Sequence, residues 1–559
     1  MTDTTKWRYR KTKSRRLRGS ALVAGGIGLS RTAGLLREMV LSRVLGLSFA
    51  ADAFAAAARI PNLLQNLLGE GVLSASFVPV YSQLLDEDEE KDGDASRVAG
   101  AIGAMLLVVT GLAVLLLVFA ARPITAVLAP GLSGETYELA INLTQIMAVG
   151  VGFLVMSAWC LGILNSHRSF FLPYAAPVLW NATQIVALLF VWWRDWAVED
   201  AARGLAIAVT IGGLAQLLVQ LPTVRRLARG LRLRFDNHHG AVKEIRRRFA
   251  PAVLGRGVVQ ISAYLDLILA TFLAAGALSA LFKAQMLFTL PVSLFAMSVA
   301  AAELPEMSRL VGEPEALIQR TRRSLDRIAF WMLLAAFAMI AAGDLIVGVL
   351  FQGGKFDGTD GVLVWFILGA YAFGLPAIGT SRLLQNTCYA VGDTRGPARI
   401  AAMRVGVAAI VGLAFMFPLD RVLVGPEGLV GFSDLFSSFG PLDGDVRSAG
   451  ETVRLGAVGL AIGSAVGGWI EVSLLARLVG RHVPGLGDPR HSLRRPAAAA
   501  AVAFVVTALA KLAVAPLPLL IEAGICLGLA VATYTFICFR IGVRDADLLL
   551  RPARRIIWR

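Results

Sequence analysis

Charged residues are scarce in this sequence: Asp, Glu, Lys and Arg make up only 17% of its 559 residues, whereas hydrophobic residues make up 56%. A soluble fold of this length cannot bury so much apolar surface, so part of that surface must face lipid. Histidine and cysteine are rarer still, with five and four residues, and their spacing matches neither a metal site nor a CxxC pair. We therefore predict no metal site, no cofactor and no enzymatic activity.

The charge that is present is unbalanced, with a formal net charge of +15. A nucleic-acid-binding domain would concentrate basic residues on a soluble face. Here Lys and Arg fall in short runs between apolar segments, with the largest block at 225–248, so we predict no nucleic-acid partner. Basic runs of this kind mark the cytoplasmic side of a membrane protein, and their distribution predicts that both termini are cytoplasmic.

The apolar segments have the length of membrane spans, about 20 residues each. We predict an all-α polytopic membrane protein with about fourteen transmembrane helices, near residues 20–47, 52–82, 97–120, 137–164, 172–193, 203–222, 244–275, 279–303, 325–351, 361–390, 396–417, 454–478, 496–512 and 517–540. The segment 418–453 is rich in Gly, Pro, Asp and Ser. We interpret it as a flexible periplasmic loop rather than a folded domain.

Two parts of the chain share one layout, although not their residues. Each has a long helix, a short turn and a helix with an internal proline, at 20–82 with Pro61 and at 244–303 with Pro291. Many transporters consist of two repeats with the substrate site at their interface. Pro61 and Pro291 are therefore candidate hinge positions.

Several basic residues lie inside the predicted spans, where each charge costs at least about 2.5–3.5 kcal/mol. The four that concern the site are Arg31, Arg37, Arg59 and Lys283. One explanation is ion pairing with acids of the first hairpin, namely Glu38, Asp52 and Glu70. The explanation that we favour is a water-filled cationic cavity that binds an anion, because guanidinium groups suit phosphate and carboxylate oxygens.

Several sequence blocks occur in a specific order and spacing. They are Ser30-Arg31-Thr32-Ala33-Gly34-Leu35-Leu36-Arg37-Glu38, Ala51-Asp52-Ala53-Phe54, Arg59-Ile60-Pro61-Asn62, Gly69-Glu70-Gly71 and Gly392-Asp393-Thr394-Arg395-Gly396-Pro397. In residues and spacing these blocks resemble the MurJ (MviN) family of lipid II flippases. The resemblance extends over about residues 20–540, which is nearly the whole chain.

This resemblance implies the multidrug/oligosaccharidyl-lipid/polysaccharide flippase fold, in which two six-helix lobes form a V. Two further C-terminal helices of that fold provide a groove for the lipid tail. The parts expected on this basis are a basic cytoplasmic tail at 1–19, a first lobe at 20–222, a basic cytoplasmic linker at 223–243, a second lobe at 244–478, the groove helices at 496–540 and a basic cytoplasmic tail at 541–559.

The resemblance also implies a function in cell-wall synthesis. A MurJ-like protein moves lipid II, an undecaprenyl-diphosphate-linked sugar-peptide, between the leaflets of the bacterial cytoplasmic membrane by alternating access. Its partners would be lipid II, membrane lipids and a coupling ion or the membrane potential. Arg31 and Arg37 would bind the head group, and Arg59 would replace a basic residue of the family. Further family positions tied to function are matched by Ser30, Asp52, Asn62 and Glu70.

The chain departs from the family pattern at three points. Gln65 stands where many members carry a basic residue, and Met286 stands where an arginine is common. Lys283, about one helical turn before Met286, is a candidate to restore that charge. Some members bind sodium with acids of the seventh and eleventh spans. Asp266 matches the first, but 395–417 offers no matching acid, so Asp266 is only a candidate ion site.

Other functions remain open at this point. A flippase for another polyprenyl-diphosphate-linked glycan, of O-antigen or teichoic type, would share the fold and the cationic cavity. A cation-coupled multidrug exporter would carry lone acids at mid-membrane, whereas the acids noted here mostly lie near helix ends. A non-transporting scaffold would have no use for arginines inside its spans. The sequence favours a lipid II flippase.

Overall fold

The computed structural model describes residues 4–87, 94–236, 238–425, 428–435, 439–448 and 453–547, with the backbone alone for 4–24, 87, 254–263 and 448. The other residues of the predicted tails and of the loop 418–453 lie outside this description. Contacts divide the chain into two units, Met1–Ile268 and Leu269–Arg559. Each unit is described by itself, and the lobe boundaries given above stay predictions.

The first unit is built from helices. They are α1 (Thr4–Leu45), α2 (Phe49–Leu68), α3 (Glu70–Ser76), α4 (Val78–Glu87), α5 (Asp94–Phe119), α6 (Ala121–Leu128), α7 (Gly134–Ser166), α8 (Phe171–Ala175), α9 (Pro177–Trp193), α10 (Val198–Leu227) and α11 (Gly240–Ala270), which ends just inside the second unit. The central helix is α7, which packs against α2, α5 and α10 and is buried over most of its length. Its Trp159 indole donates a hydrogen bond to the Ala99 carbonyl at 3.2 Å and so fixes α7 against α5.

The second unit is also helical. It contains α12 (Ala277–Pro291), a π-helical segment (Val292–Met297), α13 (Ser298–Arg309), α14 (Pro314–Phe351), α15 (Gly358–Ala390), α16 (Arg395–Leu419), α17 (Gly444–Ser448), α18 (Gly456–His482), α19 (His491–Val514) and α20 (Leu519–Arg540). Helix α18 packs against α15 and α16, and α19 and α20 pack on α14. A Cβ at Gly463 would lie 2.4 Å from the Ala408 carbonyl oxygen, so only glycine allows α18 to approach α16 this closely.

The segment between α16 and α18 contains more structure than a flexible loop. Its described residues form a small antiparallel sheet in the order β2-β1-β3, with β1 at Leu423–Gly425, β2 at Gly428–Val430 and β3 at Val453–Arg454. Val422 and Val424 bury alternate side chains, which explains why this part of the segment forms a strand. The prediction of a flexible loop therefore needs correction here.

Twelve helical segments in the described part of the chain are long and apolar enough to cross a bilayer. The predicted count of fourteen is therefore not confirmed. The two remaining long helices are α1, which carries Arg31, Arg37 and Arg43, and α11, which carries Arg256 and Asp266. Charges of this kind lower the hydropathy of both helices. Helix α1 also begins at Thr4, so most of the predicted basic tail is helical.

Large apolar side chains stand exposed on many of these segments. Examples are Leu116 at 62%, Phe119 at 83%, Val186 at 67%, Ile410 at 69% and Leu512 at 78% exposed. A soluble protein would bury such residues, whereas a membrane protein presents them to lipid. The all-α polytopic fold predicted from the sequence is confirmed.

Candidate substrate-binding cavity

A cavity of about 290 Å³ lies within the first unit, between α1, α7, α8 and the junction of α2 and α3. Its polar lining consists of Ser30, Arg31, Gln65, Glu70, Ser157, Tyr174 and Gln216. The structure thus brings three predicted site residues, Ser30, Arg31 and Glu70, around one space. Pockets for whole drug-sized ligands measure roughly 300–1,000 Å³, so this cavity suits a small charged group rather than a complete sugar-peptide.

Glu70 reaches this cavity because the chain breaks its helix at Gly69. Helix α2 ends at Leu68, and α3 begins at Glu70. A Cβ at Gly69 would lie 2.3 Å from the Gln65 carbonyl oxygen, so glycine is required for this close approach. Gln65 and Glu70 lie on either side of this break, and both line the cavity.

The two arginines of α1 have different surroundings. Arg31 is exposed and lines the cavity, whereas Arg37 is half-buried. The Arg37 guanidinium lies 5.2 Å from the centre of the Trp180 ring of α9 and 3.4 Å from the Glu38 carboxylate. Six residues of α-helix rotate the side-chain direction by about 120°, which explains the separation. For Arg37 the ion pairing considered from the sequence is present, together with a cation–π contact.

The predicted residues of α2 are spread along its length. Asp52 is 4% exposed in the first turn, while Arg59 and Asn62 are half-buried further along. The Tyr264 hydroxyl of α11 donates a hydrogen bond to the Arg59 carbonyl at 2.5 Å. A continuous helix would place Asp52 and Glu70 about 27 Å apart, so one small ligand group cannot lie beside both side chains. Asp52, Arg59 and Asn62 are not among the lining residues of the described cavity.

In the second unit, Lys283 is 2% exposed within α12 and Met286, one turn later, is half-buried. A π-helical segment follows Pro291 directly. Proline removes one backbone donor, and π-helical turns commonly interrupt α-helices at functional positions. The helix therefore changes from α- to π-helical at Pro291 without ending there, while Pro61 lies buried inside the continuous helix α2. A hinge role for either proline stays a prediction.

Two acids inside spans were missed in the sequence. Glu471 is 1% exposed at the middle of α18, where it accepts a hydrogen bond from Gln385 at 2.8 Å and lies 3.7 Å from Arg404. Asp344 of α14 forms an ion pair with Lys511 of α19. The expectation that acids mostly lie near helix ends needs correction. In both cases the acid has a basic partner on another helix. A single acid within an apolar run is the sequence signal that could have revealed each of these residues.

A further polar group was also missed. The Ser157 hydroxyl of α7 accepts hydrogen bonds from Gln216 at 3.0 Å and from Gln220 at 2.6 Å, both on α10. Ser157 and Gln216 line the cavity beside Arg31. The signal was present in the sequence, because two glutamines four residues apart share one face of an otherwise apolar helix.

Asp266 is half-buried in α11, close to the end of the first unit. Across the described residues, no group of three or more His, Cys, Asp and Glu side chains comes together as a potential metal site. The structure adds no ligand set around Asp266. Its role as an ion site stays a prediction.

Comparison with solved structures identifies the fold. The chain superposes on a lipid II flippase MurJ in an inward closed conformation with a TM-score of 0.70, at 20% identity, covering 95% of this chain and 100% of that one. It also superposes on an inward-facing multidrug resistance MATE transporter of the MOP superfamily, with a TM-score of 0.57, at 16% identity, covering 82% and 95% of the two chains. This chain shares its fold with both proteins, the second of which belongs to the MOP superfamily.

Sequence comparison identifies the family. The family described as lipid II flippase MurJ matches residues 41–425. A probable lipid II flippase MurJ of Bdellovibrio bacteriovorus is 33% identical over 74% of this chain and 78% of its own length. The lipid II flippase MurJ of Burkholderia cenocepacia is 31% identical over 73% and 78%. A Rhizobium meliloti relative, named a probable lipid II flippase MurJ, is 28% identical over 96% of both. The chain belongs to the MurJ family.

Proposed function

We propose that this protein translocates lipid II from the inner to the outer leaflet of the bacterial cytoplasmic membrane by alternating access, for cell-wall synthesis. Family membership, carried by the match over residues 41–425, is the observation that supports this proposal most strongly. The MOP-superfamily fold supports a transport cycle in which the substrate site opens to each side in turn. Family members are flippases by name, which agrees with a transporter rather than a catalyst.

The cavity beside Arg31 is the proposed site for the diphosphate. Its exposed guanidinium offers two parallel donors to phosphate oxygens, and Ser30, Ser157 and Gln216 add neutral polar groups. The Glu70 carboxylate would repel the phosphate. We therefore assign it to the sugar-peptide, whose hydroxyl and amide groups donate hydrogen bonds. The cavity volume of about 290 Å³ suits the charged group alone, so the rest of the head group must extend beyond it.

The other predicted residues have supporting roles in this proposal. Arg37 positions α1 against α9 through Trp180, and contributes positive potential to the site. Arg59, Asp52 and Asn62 belong to the wall of the transport path along α2. Lys283 supplies the cation of the second lobe, in place of Met286.

We also infer a topology and a place for the lipid tail. Both termini are cytoplasmic, as the distribution of Lys and Arg favours. Helices α19 and α20 form the tail groove: they bury Ala499 and Ala503 against the α14 side and expose apolar residues such as Val505 and Leu509 to lipid. Coupling uses the membrane potential or an ion, and Asp266 is the candidate ion ligand.

The test of this function is complementation. Cells depleted of their own lipid II flippase are supplied with this chain, and we expect growth and normal cell shape to return. Purified protein in vesicles is then expected to expose fluorescent lipid II to an outer-leaflet probe. Failure of both measurements with correctly inserted protein would rule the proposal out.

A flippase for another polyprenyl-diphosphate-linked glycan is the second candidate, because an arginine that binds the diphosphate does not distinguish one attached glycan from another. Vesicles that contain lipid II and an O-antigen-type lipid together separate the two. We expect lipid II to be transported in preference. Preference for the other lipid would favour the second candidate and would contradict the first.

A further inference from the structure

A second and larger cavity, of about 1340 Å³, lies in the second unit, away from the residues discussed above. It is formed where α14 and α19 begin and where the chain leaves α20, so it lies at one end of three membrane-spanning helices. In the proposed topology this end faces the cytoplasm. Six arginines and three carboxylates line it, together with His491, so its net charge is positive.

Two of these arginines hold the walls of the cavity together. Arg322 donates hydrogen bonds to the carbonyls of Leu486 at 3.0 Å and Gly485 at 2.7 Å. The Arg327 guanidinium lies 3.3 Å from the Asp545 carboxylate, which joins α14 to the segment after α20. These contacts form the cavity without neutralising it.

The other four lining arginines are differently placed. Arg323, Arg494, Arg495 and Arg544 are exposed, and within the described part of the chain none of them forms an ion pair. They come from α14, from the first turn of α19 and from the segment after α20. The positive end of the α19 dipole adds potential of the same sign. Glu315 and Asp326 also line the cavity, but four cations against these two carboxylates leave a net positive charge that attracts an anion.

The apolar borders of the cavity indicate what kind of anion this is. Ile318 and Val543 line the cavity. Phe536 and Ile541 stand 58% and 37% exposed near the end of α20. A soluble anion would gain nothing from these apolar side chains, whereas a lipid places its phosphate among the arginines and its acyl chains along the exposed apolar surface of the helices.

We propose that this basic cavity binds the phosphate head group of an anionic membrane phospholipid and thereby holds α19 and α20 against α14. Basic pockets between membrane helices on the cytoplasmic side are suited to such head groups. The volume is sufficient for a complete glycerophosphate head group. The site is separate from the Arg31 cavity and does not depend on which substrate the protein transports.

The test measures binding to the purified full-length protein in neutral detergent, by calorimetry with short-chain phosphatidylglycerol. We compare the wild type with Arg323→Gln/Arg494→Gln/Arg495→Gln, which spares the two structural arginines. The matched control is Arg225→Gln/Arg226→Gln/Arg229→Gln, which removes three exposed arginines of the first unit outside any described cavity. Each arginine near an anionic lipid contributes about fivefold, so the cavity variant is expected to bind about 100-fold more weakly and the control within threefold of wild type.

The binding of other ligands shows which class of molecule occupies the basic cavity. Short-chain phosphatidylcholine, which has the same phosphate but no net charge, is expected to bind at least about tenfold more weakly than phosphatidylglycerol. Equal binding of the two lipids, or equal losses in the two triple variants, would overturn the proposal. Equally tight binding of glycerol 3-phosphate would make this a site for soluble anions, and preferential binding of farnesyl diphosphate would make it a prenyl-diphosphate site; either result also overturns it.

A measurement on the wild type covers the case in which the cavity variant does not fold. Phosphatidylglycerol with a photoreactive group on its glycerol head is cross-linked to the protein, and the labelled peptides are identified. We expect labels within 315–327, 491–496 and 541–547, and fewer of them at high salt because screening weakens the attraction. Labels spread evenly over the membrane-spanning surface would contradict a specific site.

Discussion

The two units treat charge at membrane depth in different ways. In the first unit, Arg31 is exposed to a cavity that it shares with Glu70 and several neutral polar groups. In the second unit, Lys283 is 2% exposed, and Glu471, 1% exposed, is close to Gln385 and Arg404. Arg31 is therefore accessible, whereas Lys283 and Glu471 are enclosed by protein.

This difference bears on which charges can bind a substrate. A buried charge that already has a partner must lose that partner before it binds anything else, and the loss leaves an uncompensated charge. Arg31 is exposed beside the cavity, so a substrate can reach it without separating packed helices. We therefore expect substitutions in the first unit to change transport and substitutions in the second to change stability first.

The largest effect is expected for Arg31→Ala. A charge-assisted hydrogen bond to phosphate contributes on the order of 1.5–3 kcal/mol, so its loss should weaken lipid II binding by roughly 10–150-fold and abolish transport. Because Arg31 is exposed, the thermal stability should stay close to that of the wild type. The measurement is lipid II flipping in vesicles at matched protein levels.

Arg31→Lys sharpens this result. Lysine keeps the charge but lacks the planar fork, so only partial recovery is expected. Arg229→Ala, which removes another exposed arginine of the same unit, is the control and should transport normally. Full activity of Arg31→Ala would show that the cavity is not the diphosphate site.

In the second unit, Glu471→Leu should act on stability. It removes the acceptor of the Gln385 amide and leaves the half-buried Arg404 without its carboxylate, and a buried donor left without its acceptor costs about 1–3 kcal/mol. Unfolding of the purified protein by heat or denaturant measures this loss. Glu471→Gln keeps the oxygen that accepts from Gln385 and should lose less. An unchanged unfolding midpoint in Glu471→Leu would show that the pair is dispensable.

Lys283→Ala tests the same contrast at a residue that was predicted to bind substrate. Truncation of a fully buried long side chain leaves a cavity, and the expected loss is about 2–3 kcal/mol. Lys283→Met restores most of the volume without the charge, so it separates packing from electrostatics. If both variants unfold like the wild type but fail to transport lipid II, the charge of Lys283 acts in transport, as proposed above, without contributing to stability, and the contrast between the units fails at this residue.

Much of the fold could be predicted from the sequence, because the length of the apolar segments predicts the membrane spans and the sequence blocks indicate the family. The environment of single charges does not follow in the same way. The side chains of Arg31 and Arg37 diverge because of helix geometry, but only the structure shows that Arg37 packs against Trp180 while Arg31 lines the cavity. The partners of Glu471 come from α15 and α16, remote in sequence, so no local pattern reveals them.

A pH-dependent effect on stability is expected at Asp420, which follows α16 outside the span and is 1% exposed. Its carboxylate accepts the Ala274 amide at 3.3 Å, and burial raises its pKa to about 7 even though this hydrogen bond and Arg454 act in the opposite direction. The unfolded chain releases the proton near pH 4 and the folded protein near pH 7, so the folded state holds more protons between these values. Stability should therefore fall as pH rises from 4 to 7, by at most about 1.4 kcal/mol for each pH unit.

Asp420→Asn keeps an oxygen for the Ala274 amide and cannot ionise, so its stability should vary less over this range. Thermal unfolding at pH 5, 6 and 7 compares the two proteins, and parallel curves would show that Asp420 does not titrate in this interval.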